Sequence, residues 1–307
     1  MKITKKTILT VVEWLVTVAA YAYLVYRLVT FDQYDALFRF SGSGGIKGVI
    51  CLILCILLMP VNLGLEAAKW QTLLREIRPV SLKEALLHIL YGQAAAFITP
   101  YRLGDIPARV MLLNDKRHWK PAIVLGLCGG VIQTIVIIAC GIVPALYFLQ
   151  HTEWPYIRQV AVCAVVAILF LVVLQWKSLP QSYRLTGRQI LHTFVWSGAR
   201  YMCWLLQFVL VMVWAGSLLS LKELVVVLPT YYLLITVTPG IPIADAGIRG
   251  SWAVFTLGMY GVAAPVAALI AIMMWLINNL LPVALYLPFR RSLRRTLSDE
   301  PTAANEE

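Results

Sequence analysis

Charge is scarce in this chain: only 13% of its 307 residues are Asp, Glu, Lys or Arg, against about a quarter in ordinary globular domains. With 60% hydrophobic residues, so little charge cannot build a soluble surface, and a soluble globular protein is excluded. Acidic residues are the scarcer sign, 15 against 26 basic ones. The net charge of +11 does not call for nucleic acid, because basic cytoplasmic loops facing anionic lipid produce the same excess in membrane proteins. The four histidines have no ligand spacing. The six cysteines (Cys51, Cys55, Cys128, Cys140, Cys163, Cys203) lie inside apolar runs and form no Cys-x-x-Cys pair. Neither a disulfide, a metal nor a cofactor is expected. A Walker A loop, a His-Glu-x-x-His helix and a Gly-x-Ser-x-Gly turn are also missing. Their absence argues against an ATP-driven pump acting alone and against the common hydrolases.

What is present is apolar length. Runs near 7–29, 46–68, 121–149, 156–176, 190–216 and 263–288 reach the roughly 20 residues of a bilayer span and must be helices, since lipid cannot pair exposed backbone groups. The first follows Lys2, Lys5 and Lys6 and continues past Ala20-Tyr21-Ala22, so it reads as an uncleaved span. Two other apolar segments, 84–98 and 224–237, are too short for a core of roughly 30 Å. Each is followed by Thr-Pro, a Gly-containing stretch and a weaker apolar segment. That form predicts a re-entrant hairpin, tolerated where protein or a watery cavity surrounds the break.

Basic residues cluster at 69–83, 101–120, 177–190 and after 290, and are few near 31–45, 150–155 and 217–221. The positive-inside rule places those clusters and both termini in the cytoplasm. Loops 69–83 and 101–120 then share a side, as a re-entrant hairpin between them requires.

The two short segments belong to a repeat. Ser81-Leu82-Lys83-Glu84 recurs as Ser220-Leu221-Lys222-Glu223, and Thr99-Pro100 recurs at the same offset as Thr238-Pro239. Asp105 and Arg109 recur one residue further on as Asp245 and Arg249. The expected layout is a first span and outer loop over 1–45 and repeat A over 46–149 with hairpin 84–114. A linking span over 150–189, repeat B over 190–289 with hairpin 222–258, and a basic tail over 290–307 complete it. The charge map inverts repeat B relative to A. The fold class is therefore an all-α integral membrane protein with six full transmembrane helices and two opposed re-entrant hairpins in an inverted repeat, as in secondary transporters.

Polar side chains at membrane depth are costly, so each is a functional candidate. Asn62, Glu66 and Lys69 share one helical stripe, and Arg200, Trp204 and Gln207 another, both expected to face the hairpin that follows. Glu66 and Lys69 could equally be solvated at the interface. The candidate substrate-binding residues are Arg102, Arg109, Arg200, Arg249, Glu66, Gln93 and Asn278. Arg suits a phosphate because its planar fork grips two oxygens. Asp105 and Asp245 are candidate counter-charges or proton carriers. Gln93, Gln133, Asn278 and Asn279 also read as helix–helix contacts.

The run Glu66…Lys69-Trp70…Ser81…Glu84…Gly92…Pro100-Tyr101-Arg102-Leu103-Gly104-Asp105…Arg109 resembles the membrane region of lysylphosphatidylglycerol synthase/flippase proteins and their stand-alone relatives. Thr238-Pro239-Gly240-Ile241-Pro242…Ala246-Gly247-Ile248-Arg249-Gly250…Trp275…Asn278…Pro282 is similar to that family's second signature. The likeness covers roughly 46–288. It departs near Arg249, where the family often has an acidic residue, and at Trp275–Asn278, where it often has an Arg. No part of the sequence resembles the synthetase domain, so the resemblance implies lipid translocation without aminoacyl transfer.

The sequence thus reads as a non-enzymatic, multi-pass inner-membrane translocase, embedded in the bilayer, for an anionic phospholipid or polyprenyl phosphate. Two alternatives stay open: a membrane enzyme acting on a lipid-linked phosphate or sugar, and a non-catalytic scaffold for lipid synthesis. The lipid is the expected partner, nucleic acid is not, and a homo-oligomer is left open.

Overall fold

The computed structural model describes residues 45–286 except 100, 101, 114, 151–184, 239–241 and 285, together with 22, 25, 26 and 29. The expected first span, linking span and basic tail fall largely outside the described residues.

Every regular element among the described residues is helical. The order is α1 (Gly45–Leu74), α2 (Leu82–Ile98), α3 (Asp105–Met111), α4 (Trp119–Gln150), α5 (Gly187–Trp214), α6 (Leu221–Val237), α7 (Pro242–Gly258) and α8 (Ala264–Trp275). A π-helical turn, Leu276–Leu280, continues α8. Four helices are long and apolar enough to cross a bilayer: α1, α4 with the turn before it, α5, and α8 with its continuation to Ala284. Their outward faces are apolar and exposed. On α1, Ile46, Val49, Ile53, Leu57 and Val61 are at least half exposed, as are Leu191, Val195 and Met202 on α5. Apolar area of that extent marks a surface suited to lipid or to another protein rather than to water.

The sequence repeat has a structural counterpart at the helix ends. α2 and α6 are both 17 residues long. Ser81 and Ser220 cap them by accepting from the backbone N–H of Glu84 and Glu223. Each short helix ends at a threonine whose hydroxyl bonds back one turn, Thr99 to Ala95 O and Thr238 to Leu234 O. The copies diverge next: α3 has 7 residues and α7 has 17.

α1 and α5 pack antiparallel along their length. A Cβ on Gly48 would lie 3.4 Å from Trp214 Cα. Gln207 Nε2 donates to Cys55 O at 3.0 Å, Arg200 Nε to Asn62 Oδ1 at 2.9 Å, and Thr186 Oγ1 to Glu76 Oε1 at 3.5 Å. This corrects one expectation. Trp204 stacks on Tyr232 of α6, but Arg200 and Gln207 turn to α1, Arg200 to Asn62 and Glu66 and Gln207 to the Cys55 carbonyl that takes its amide hydrogen. Cys55, Cys128 and Cys203 are buried thiols, Cys140 is exposed, and none of these is in a disulfide.

Candidate functional site

Glu66 organises the interior. One oxygen, Oε2, accepts from Lys69 Nζ at 2.6 Å and from Arg200 Nη1 at 2.6 Å. The other, Oε1, accepts from Arg109 Nη1 at 3.0 Å. Glu66 and Lys69 are about 5% exposed, which overturns the solvated reading of this pair. A carboxylate held so deep requires compensating cations, and here three converge on it.

Arg109 is fixed twice more. Its Nε and Nη2 grip Asp105 Oδ1 and Oδ2 at 2.7 and 2.8 Å, and its guanidinium lies 5.7 Å from the Trp70 ring centre. Trp70 is itself oriented by donating to His88 Nδ1 at 3.2 Å. The close fit of α3 on α2 depends on Gly92: a Cβ there would sit 2.4 Å from Asp105 Oδ1 and 2.8 Å from Asp105 O. Arg200 stacks over Trp204, 4.7 Å from the ring centre, and Trp204 stacks in turn on Tyr232 of α6.

In the second copy, Arg249 Nε donates to Asp245 Oδ1 at 2.9 Å, and Trp275 Nε1 donates to Asp245 Oδ2 at 3.0 Å. Both aspartates therefore sit as counter-charges to an arginine one helical turn away.

The π-turn of α8 completes the site. Asn278 Oδ1 accepts from Asn62 Nδ2 at 3.0 Å, and Asn279 Oδ1 accepts from Arg102 Nη1 at 2.8 Å. On a regular α-helix successive side chains diverge by about 100°. The wider π-turn brings both asparagines to the interior, a common use of such bulges. Arg102 has φ +56°, the left-handed region rare for a residue with a side chain. Among the described residues it makes no ion pair.

These residues enclose one cavity of about 370 Å³. It brings together Arg102, Arg109, Arg200, Arg249, Glu66, Gln93, Asn278 and Asp105. Asp245 is not on the wall and stands behind Arg249. Sequence reasoning did not select Lys69, Asn62, Gln133, Asn279, Tyr231 or Tyr232 for the site, all of which line it. The polar stripe on α1 was the available signal for Asn62 and Lys69. Counting formal charges, five cations (Lys69 and the four arginines) stand against three carboxylates (Glu66, Asp105 and Asp245). No group of His, Cys, Asp and Glu suited to a metal ion occurs among the described residues.

No protein-family model matches the chain, and no curated protein matches it significantly.

Proposed function

We propose that this protein moves an anionic lipid between membrane leaflets, holding the headgroup phosphate in the arginine-lined cavity while the tails stay in the bilayer. The observation that carries this reading is the excess of cations inside a helical bundle whose outward faces are apolar. Five cations against three carboxylates leave room for an anion, and stranding that excess in an apolar interior without a ligand is costly. Asp105 and Asp245 act as counter-charges that keep Arg109 and Arg249 paired when no lipid is bound. The resemblance to lysylphosphatidylglycerol flippase membrane regions points the same way.

Two opposed re-entrant hairpins within an inverted repeat, completing six full spans, are the architecture we propose for this task. Antiparallel packing of α1 on α5, the opening helices of the two copies, supports the inversion. The matching serine and threonine caps support the duplication. At about 1.5 Å per residue, the 17 residues of α2 reach about 26 Å, short of the roughly 30 Å core. An inverted pair gives two packings of similar energy, one open to each side.

The topology has a direct test. Single cysteines replacing Ser81 and Lys116 should be labelled from the same, cytoplasmic side of the inner membrane by an impermeant maleimide. Labelling from opposite sides would make α2 a true span and remove the inverted repeat.

Arg102 offers the cleanest test of function. It lies outside the Glu66 network, so its loss should spare the fold. A charge-assisted hydrogen bond contributes about 1.5–3 kcal/mol, and about 1.4 kcal/mol is tenfold. Arg102→Gln should therefore slow flipping of fluorescent phosphatidylglycerol in proteoliposomes by roughly tenfold or more, with Tm unchanged. A wild-type rate in this variant would contradict the assignment of the cavity as the lipid path.

A further inference from the structure

Thr99 closes α2 in extended backbone, with φ −104° and ψ 140°. Its hydroxyl donates to Ala95 O at 2.8 Å. Thr72, Thr230, Thr236 and Thr256 make the same bond one turn back, so that bond alone says nothing of function. What matters at Thr99 is the accepting side. Its Oγ1 takes the backbone N–H of Gly104 at 2.9 Å, and its carbonyl takes the backbone N–H of Arg102 at 3.3 Å. Gly104 fits this seat because it has no side chain: a Cβ there would stand 2.7 Å from Thr99 Oγ1 and 2.9 Å from Thr99 Cγ2.

One threonine thus holds the N–H of Arg102 and the N–H two residues further on. Between these anchors Arg102 is kept at φ +56°, a region that a residue with a Cβ leaves unless its surroundings over-determine it. From there its side chain reaches the second copy, where Arg102 Nη1 donates to Asn279 Oδ1 at 2.8 Å. The matching threonine of the second copy is engaged differently. Thr238 bonds back to Leu234 O, but its hydroxyl accepts from Trp252 Nε1 at 2.9 Å, a side chain on α7. The bond one turn back is common to both copies, whereas the grip on backbone belongs to the copy that carries Arg102.

We infer that Thr99 is a positioning residue for Arg102: its hydroxyl holds the left-handed turn that sets the guanidinium at the cavity beside Asn279. Thr99 is not on the cavity wall and acts through Arg102. The consequence for lipid flipping rests on the translocation reading, whereas the consequence for Arg102 itself does not.

Valine has the shape of threonine without the hydroxyl and suits extended backbone, so Thr99→Val is the first variant to test. Should it not fold, Thr99→Ala removes the same hydroxyl and carries the same expectation. Arg102 is exposed as well as cavity-lining, so phenylglyoxal can modify it in the detergent-purified full chain, with the modified residue mapped by mass spectrometry. Thr99→Val should raise the rate of Arg102 modification roughly fivefold, the equivalent of one hydrogen bond lost. Thr99→Ser keeps the hydroxyl and should react as the wild type does, and buried Arg109 should stay unmodified throughout. A wild-type rate at Arg102 in Thr99→Val, an equal rise in Thr99→Ser, or modification of Arg109 as well overturns the inference. Flipping of fluorescent phosphatidylglycerol in proteoliposomes supplies the second readout. Thr99→Val should slow it roughly fivefold, and adding Thr99→Val to Arg102→Gln should slow it no further, because changes that act through one group do not add. A further fivefold loss in the double variant also overturns the positioning role. If Arg102 modification responds as expected while the wild type moves no lipid, the positioning role stands and the translocation reading falls.

Discussion

Replacing Glu66 by alanine should lower the stability of the purified protein by about 3–5 kcal/mol, the usual cost of removing one partner from a buried ion cluster. The reason is numerical. Glu66 is the one carboxylate that Lys69, Arg109 and Arg200 share, at 2.6, 3.0 and 2.6 Å. Asp105 still holds Arg109, and Asn62 still accepts from Arg200. Lys69 has only Glu66 as its ion partner among the described residues. Deleting Glu66 therefore leaves an ammonium buried without a counter-charge and two guanidiniums short of one. Thermal unfolding in detergent should show a fall of roughly ten degrees in Tm. Adding Lys69→Met should recover part of the loss, because the stranded ammonium is then gone. An unchanged Tm in Glu66→Ala would mean that water reaches the cluster and compensates it.

How far the sequence could foresee this depends on which residues were asked. Ser81 and Glu84, with Ser220 and Glu223, announced two equivalent helix starts because capping is local chemistry, settled within four residues. Arg200 announced itself by lying inside an apolar helix, where a charge needs a reason. Lys69 was ambiguous because it is close enough to loop residues for a solvated reading, and only tertiary packing buries it. Asn279 could not be assigned to the interior beside Asn278 under α-helical periodicity, since the π-turn that unites them is not written in the apolar pattern. The unequal lengths of α3 and α7 showed only as the unequal expected hairpins, 84–114 and 222–258. The repeat is visible at its caps and charged pairs, whereas the apolar residues that extend α7 carry no position-specific signal. Gln207 was drawn toward its own hairpin by helical spacing, but the carbonyl it meets belongs to a helix far away in sequence.

Beyond its place in the run that carries the family resemblance, Gly92 was legible only as a glycine in a helix, which by itself argues for nothing but a cost of about 1 kcal/mol. The structure supplies its purpose. Its missing Cβ lets α3 lie against α2, with Asp105 Oδ1 2.4 Å and Arg109 Cγ 2.7 Å from where that carbon would stand. The side-chain atoms could rotate away, but Asp105 O, at 2.8 Å, is backbone, so the start of α3 itself must shift. Arg109 would then be pulled from Glu66, and the cavity would lose the alignment of its cations. Gly92→Ala should cost about 1–3 kcal/mol as an overpacked contact, despite the better helix propensity of alanine. Because the strain falls on the elements that shape the cavity, lipid flipping in proteoliposomes should drop roughly tenfold, the equivalent of about 1.4 kcal/mol. Gly198→Ala is the matched control. It also lies within a helix, α5, but nothing stands within 4 Å of its added Cβ. It should raise stability by up to about 1 kcal/mol through propensity alone and leave flipping unchanged. If both alanines behaved alike, the close approach of α3 to α2 would have no part in holding the arginines around the cavity.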